Sequence, residues 1–291
     1  MSRGSVRPIG AFELARVALL TANLAWTTLC LGGFLPGSRE WMAALTGALI
    51  AVHLADPARG TSAHPAGWLF APFLAYAAAN VAWVTPARWL GWTDWLNWVQ
   101  AVAVFWIVIN GVVTPVGRRF LCAVLVALGF LSAALACYQH FVKPDWLMLG
   151  RTQAAQFIGR SSGPFGIPNS LGVLMALLIP PVGALALGPG RPAALRGLCA
   201  VVLCALSAGF VLAISRGAWI ALAAAFAIKP ILTPGRSVGR RISVAAAAAA
   251  AAAAVAAVFY IAYPPMRARV DQLVRNAGER SRPVMWRAAW K

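Results

Sequence analysis

Three arginines, Arg160, Arg216 and Arg282, each stand at or just before a position where a helix is expected to begin. In "GRSSGPFGIPNSLGVLMALLIP", residues 159 to 180, Gly163, Pro164, Gly166 and Pro168 forbid regular helix until Pro168 or Asn169 opens one. Ser215-Arg216-Gly217 interrupts a long apolar run, and in "GERSRPVMWRAAW", residues 278 to 290, Pro283 suits the first helical position directly after Arg282. A helix N-terminus presents unpaired N–H groups and partial positive charge, which suits phosphate oxygens. Arginine adds a permanently charged fork that grips phosphate in a bidentate way. Brought together, the three would form one anion site; kept apart, they are three interfacial arginines.

Other chemistry is sparse. The outer-side carboxylates, Glu40, Asp94, Asp145, Asp271 and Glu279, form no close pair within one loop, and no acidic cluster has the spacing of a divalent-metal site. His53, His64 and His140 share no ligand spacing with the five cysteines, so no metal or other cofactor is implied. His140, near the end of an apolar run, reads as a capping or packing residue rather than a base. The cysteines (Cys30, Cys122, Cys137, Cys199 and Cys204) lie inside apolar runs and read as buried thiols.

The elements that must position the arginines are membrane helices. The chain has 291 residues, 61% of them hydrophobic and 11% charged, against about 25% charged in a water-soluble domain. Apolar runs of about 20 residues recur along nearly the whole length, the pattern of a polytopic all-α membrane protein. Nine spans are expected, roughly at 11–35, 40–55, 66–84, 98–113, 119–142, 167–187, 197–214, 217–232 and 242–263. Together 1–263 form a transmembrane domain, and 264–291 reads as the basic, amphipathic start of a large external loop. The stretch from Gly197 to Ile228 would be about 48 Å long as one helix, too long for a hydrocarbon core of about 30 Å. It is expected to break at Ser215-Arg216-Gly217, with Gly217 allowing the turn and Ser215 capping the next helix. Arg216 then sits at a hairpin tip, where it avoids the cost of about 3 kcal/mol for an arginine at mid-bilayer.

The positive-inside rule favours a cytoplasmic N-terminus: eleven basic residues fall in the cytoplasmic segments and six in the opposite short loops. The tail after Tyr263 adds seven cations on the outer side, so topology alone does not account for them. In "WVTPARWLGWTDWLNW", residues 83 to 98, Trp89, Trp92, Trp95 and Trp98 recur every three residues, which predicts a short helix lying flat at the interface. The formal net charge of +18 fits lipid headgroups or phosphorylated substrates in a membrane-embedded chain, and no nucleic-acid role is expected.

The G-P-F-G-x-P-N segment at 163–169, "SRGAWIALAAA" at 215–225 and "RPVMWRAAW" at 282–290 resemble the O-antigen ligase and polymerase superfamily of bacterial envelope proteins, from about residue 10 onward. The resemblance implies a GT-C-type glycosyltransferase of the inner membrane, typically with about twelve spans. Such enzymes move a glycan from undecaprenyl diphosphate, without a metal, to a lipid A–core or other glycan acceptor on the periplasmic face. By the same resemblance Arg216 and Arg282 hold the diphosphate and act in catalysis, with Arg160 as a third diphosphate ligand. The family's general base, a histidine in the large periplasmic loop, would fall beyond Lys291, so the sequence reads as C-terminally truncated and that role is not carried to His140. The rival reading is a transporter or flippase of an anionic lipid-linked substrate, using the same arginines as ligands.

Overall fold

A computed structural model of the chain describes residues 9–33, 35–57, 64–188 and 190–232, with Gly239, Ser243, Tyr260, Ile261, Pro264, Arg267 and Asp271 as single positions beyond. Among the described residues every regular element is a helix, and the sole extended pairing is one isolated bridge between Trp146 and Thr152. The backbone falls into two compact units.

The first unit comprises Met1–Leu135, Trp146–Thr152 and Gly163–Gly166. It holds α1 (Ala11–Leu29), α2 (Pro36–Ala55), a 3-10 turn at Pro65–Phe70, α3 (Ala71–Trp83), α4 (Arg88–Gly111) and most of α5 (Pro115–Phe141). Prolines open three of these elements, at Pro36, Pro65 and Pro115, because the ring pre-sets a helical φ and lacks only an N–H the first turn cannot use. α1 returns on α2 through Leu31, Gly32 and Gly33, all at positive φ. Trp26 donates its indole N–H to the Ser38 carbonyl at 3.1 Å, and the Asn23 amide donates to Thr46 Oγ1 at 2.9 Å. Val17, Leu20, Leu49, Ile107, Val112 and Leu121 form the core between the helices.

The tryptophan-rich segment differs from its expected form. Residues 88–98 are not a separate flat helix but the first half of α4, which runs unbroken to Gly111. No proline follows Pro86 in this stretch, and Gly91 lets α4 close on α3: a Cβ there would sit 3.0 Å from a Val81 methyl. Trp95 donates to the Leu74 carbonyl of α3 at 3.0 Å, while Trp89 and Trp98 point outward.

The second unit comprises Ala136–Asp145, Gln153–Ser162 and Ile167–Lys291. Its frame is the hairpin of α6 (Pro168–Leu187) and α7 (Ala193–Leu212), with α8 (Arg216–Leu232) packed on α6. Leu171, Met175, Leu178 and Val182 repeat every three or four residues along one side of α6 and are buried there; Cys199, Val202 and Leu206 do the same on α7. α6 begins at Pro168, as the sequence requires, after the left-handed Gly166. The break between α7 and α8 also falls where length demands, but Gly217 does not make it. The chain turns at Ala213 and Ile214, Ile214 taking φ +45°, and Gly217 lies inside the first turn of α8.

Eight helices thus occupy the places of the first eight expected spans, and the ninth, at 242–263, lies almost entirely outside the described residues. Three of them, α5, α6 and α7, are by length and composition both long and apolar enough to cross a membrane, consistent with a helical membrane protein. α8 carries a shorter apolar stretch, Arg216–Ile228. α3, with 13 residues, is about 20 Å long, and α1, α2 and α4 carry charged or amide residues in their end turns.

Candidate functional site

The site grows from residues 153–162 of the second unit. Gly159, at φ +85°, turns this segment back so that Arg160 and Ser161 meet the C-terminus of α7. The last carbonyls of a helix lack intrahelical donors and carry partial negative charge. Two of them are satisfied here: Ser161 N–H donates to the Leu212 carbonyl at 2.9 Å, and Arg160 Nε donates to the Ala213 carbonyl at 3.1 Å. Arg160 also donates from Nη2 to Asn169 Oδ1 at 2.9 Å, in the first turn of α6, and its guanidinium lies 5.9 Å from the Phe157 ring centre. One guanidinium therefore ties the end of α7 to the start of α6.

The same neighbourhood launches α8. Ile214 is buried and β-branched, a residue type for which positive φ is a genuine outlier. Such strain persists only where the surroundings over-determine it, and it concentrates at functional sites. Ser215 follows, buried, at the position preceding α8, and Arg216 is the first helical residue, half-buried. Gly172 of α6 permits the approach: a Cβ there would lie 2.8 Å from Ser215 Cβ and 3.0 Å from Ala218 Cβ.

Two of the three expected features are thus packed together. Arg160 is bonded to Ala213, and Ala213 begins the turn that ends at Arg216. Arg282 lies outside the described residues. Those two Arg160 bonds, to a backbone carbonyl and an amide oxygen, orient the guanidinium. A cation aimed in this way beside two helix N-termini suits an anion with several oxygens.

A buried polar group adjoins the arginine that the sequence did not single out. Gln139, near the end of α5, accepts from Ser162 N–H at 2.7 Å through Oε1, and its amide donates to Ser162 Oγ at 3.3 Å. Gln153 Oε1 lies 3.5 Å from the same hydroxyl. Gln139, Gln153, Ser161 and Ser162 are all at least nine-tenths buried, and Gln153 Nε2 and Ser161 Oγ have no hydrogen-bond partner. The available signal was a lone glutamine in the apolar α5 and a Ser-Ser pair directly after Arg160.

The first unit holds a second unanticipated cluster. Arg16 Nη1 and Asp56 Oδ2 form a buried ion pair at 2.8 Å. Glu13 Oε1 accepts from Thr114 N–H at 2.9 Å and from Thr114 Oγ1 at 2.7 Å. Gly111 fits closely beside Arg16 and His53: a Cβ there would stand 3.0 Å from Arg16 Cδ and 3.1 Å from His53 Nδ1. Two charges three residues apart in the first turns of an apolar helix were its visible sign.

The remaining histidines have local tasks. His64 caps the 3-10 turn, Nδ1 accepting from Ala66 N–H at 3.2 Å, and His140 stacks edge-on with Phe141 at 4.8 Å. Among the described residues no three His, Cys, Asp or Glu side chains converge as a metal site would require. All five cysteines are unbridged; Cys30 and Cys199 are buried and Cys137 partly so, but Cys122 and Cys204 lie on outward helix faces rather than inside, a correction to their expected burial. No family model matches the chain, and neither a curated protein nor a solved structure matches it.

Proposed function

We propose that this chain is a membrane glycosyltransferase of the O-antigen ligase type, with a GT-C fold and about nine spans in the bacterial inner membrane. Its N-terminus is cytoplasmic, and it transfers a glycan from undecaprenyl diphosphate to a lipid A–core or other glycan acceptor at the periplasmic face. Arg160, Arg216 and Arg282 hold the diphosphate. The reaction is displacement at the anomeric carbon: the acceptor hydroxyl oxygen forms the new C–O bond as the bond to the diphosphate oxygen breaks, and the hydroxyl proton passes to the released diphosphate or to water. Negative charge then builds on the leaving diphosphate, and fixed cations with helix N-termini stabilise it without a metal.

One observation carries this reading: Arg160 is fixed by Asn169 at the start of α6 and by the Ala213 carbonyl in the turn that opens α8 at Arg216. The test is glycan transfer from a lipid-linked donor by the protein reconstituted in lipid. Replacing Arg216 and Arg282 together by alanine is expected to lower the rate by at least about a hundredfold, the usual effect of deleting charge stabilisers in such sites. Wild-type transfer by the double variant overturns the proposal.

The rival flippase reading draws on the buried Arg16–Asp56 pair and on Glu13, since ionisable groups within membrane helices often mark transport paths. These residues stand in the end turns of α1 and α2 rather than midway along them, which favours the transferase. Translocation of a labelled lipid diphosphate across vesicles, abolished by Asp56→Asn and without any glycan transfer, would favour the flippase.

A further inference from the structure

α5 carries a single amide side chain, Gln139, in its last turn, and that residue is 1% exposed. Burying an amide in an apolar helix is costly unless both its ends are bonded. Here both ends go to one residue. Oε1 accepts from Ser162 N–H at 2.7 Å, and Nε2 donates to Ser162 Oγ at 3.3 Å. Ser162 follows Arg160 by two positions, and all three consecutive residues are tied to a neighbouring element. Arg160 Nε donates to the Ala213 carbonyl at 3.1 Å, Ser161 N–H to the Leu212 carbonyl at 2.9 Å, and Ser162 N–H to Gln139.

Upstream of these residues the segment has only a 3-10 turn, Ala155–Phe157, and the left-handed Gly159. A backbone without a ladder of its own takes its place from a few cross-links, each working against the entropy of the chain it orders. On the α7 side those links are Arg160 and Ser161; on the α5 side the link is one side chain. We infer that Gln139 is a positioning residue for the arginine site. By fixing Ser162 it holds the Arg160–Ser161 backbone against the end of α7, and so sets the guanidinium at the turn that opens α8 at Arg216. It acts through Ser162 and touches no substrate itself. This role rests on the proposed lipid-diphosphate function and adds to it the residue that places one of the phosphate ligands.

The test is the affinity of the full chain in nanodiscs for polyprenyl diphosphate and for phosphatidylglycerol, measured per folded molecule well below each variant's Tm. Gln139→Met keeps the length without the acceptor, and Gln139→Asn is too short to reach Ser162. Each should weaken diphosphate binding by about tenfold, as misplacing a binding group does, and phosphatidylglycerol binding by less than about twofold. Gln139→Glu retains an oxygen at the same reach for the Ser162 N–H and should stay within about twofold of wild type. Asn23→Ala removes another buried amide, bonded to Thr46 Oγ1 at 2.9 Å in the first unit. It should lower the Tm and leave diphosphate affinity within about twofold, which a merely structural role for Gln139 would do as well. Wild-type diphosphate affinity in Gln139→Met and Gln139→Asn, a loss in Gln139→Glu as large as theirs, or an equal loss in Asn23→Ala overturns the assignment and leaves the diphosphate function standing. Failure of both Gln139→Met and Gln139→Asn to fold would show that Gln139 holds the fold as a whole, which also overturns it. A wild-type chain that binds the diphosphate no better than phosphatidylglycerol overturns the proposed function itself.

Discussion

Arg16 in the first unit and Arg160 in the second are both held arginines in an apolar chain, yet their partners differ in kind. Arg16 meets a carboxylate, Asp56, in a pair with side chains 6% and 9% exposed. Arg160 meets a backbone carbonyl and an amide oxygen, at the end of one helix and the start of another. The carboxylate cancels the charge of Arg16 where it is buried, so the pair fastens the ends of α1 and α2. The oxygens of Ala213 and Asn169 orient the Arg160 guanidinium between the end of α7 and the start of α6.

The largest effect expected from breaking this contrast is at Arg16. Truncating one partner of a buried ion pair strands the other charge, so Asp56→Ala should lower stability by about 3–5 kcal/mol, read from denaturant or thermal unfolding in detergent. Arg160→Ala removes bonds to neutral acceptors and should cost only about 1–2 kcal/mol in the same assay. Equal losses at the two sites would erase the distinction.

A middle-sized effect is expected at Gly172, which sharpens the contrast by acting on the placement of Arg216 and not on its charge. Gly172→Ala puts a methyl 2.8 Å from Ser215 Cβ, and the resulting overpacking should cost about 1–3 kcal/mol and shift α8 against α6. Gly217→Ala, in the open first turn of α8, should be neutral or slightly stabilising, by up to about 1 kcal/mol, because that glycine carries no close contact. Unfolding midpoints of the two variants check both signs.

The start of α6 at Pro168 was legible because ring geometry acts locally, whereas α2 and α5 begin at Pro36 and Pro115, ahead of the expected spans at 40–55 and 119–142. The break near Arg216 was legible from length against bilayer thickness. Its hinge was not, because a buried isoleucine at φ +45° contradicts local preference and is imposed by packing around it. The unbroken α4 was missed for a related reason: tryptophan spacing suggested an interface, while contact with α3 through Trp95 and Gly91 decided the outcome. The convergence of Arg160 with the turn before Arg216 was an expectation drawn from helix N-termini, and the bond to Ala213 supplies its geometry, whereas Gln139, Gln153 and Asp56 acquire meaning only through partners that folding brings near.

The most direct measurement is the affinity of the lipid-reconstituted chain for polyprenyl diphosphate, compared with polyprenyl monophosphate and phosphatidylglycerol, in wild-type protein and in Arg160→Ala, Arg216→Ala and the double variant. The expected result is tighter binding of the diphosphate by wild type, lost by about tenfold or more in each single variant and coupled in the double, while the other two lipids change little. Diphosphate binding that survives the double variant at full strength, or that weakens no more than binding of phosphatidylglycerol, would contradict the assignment.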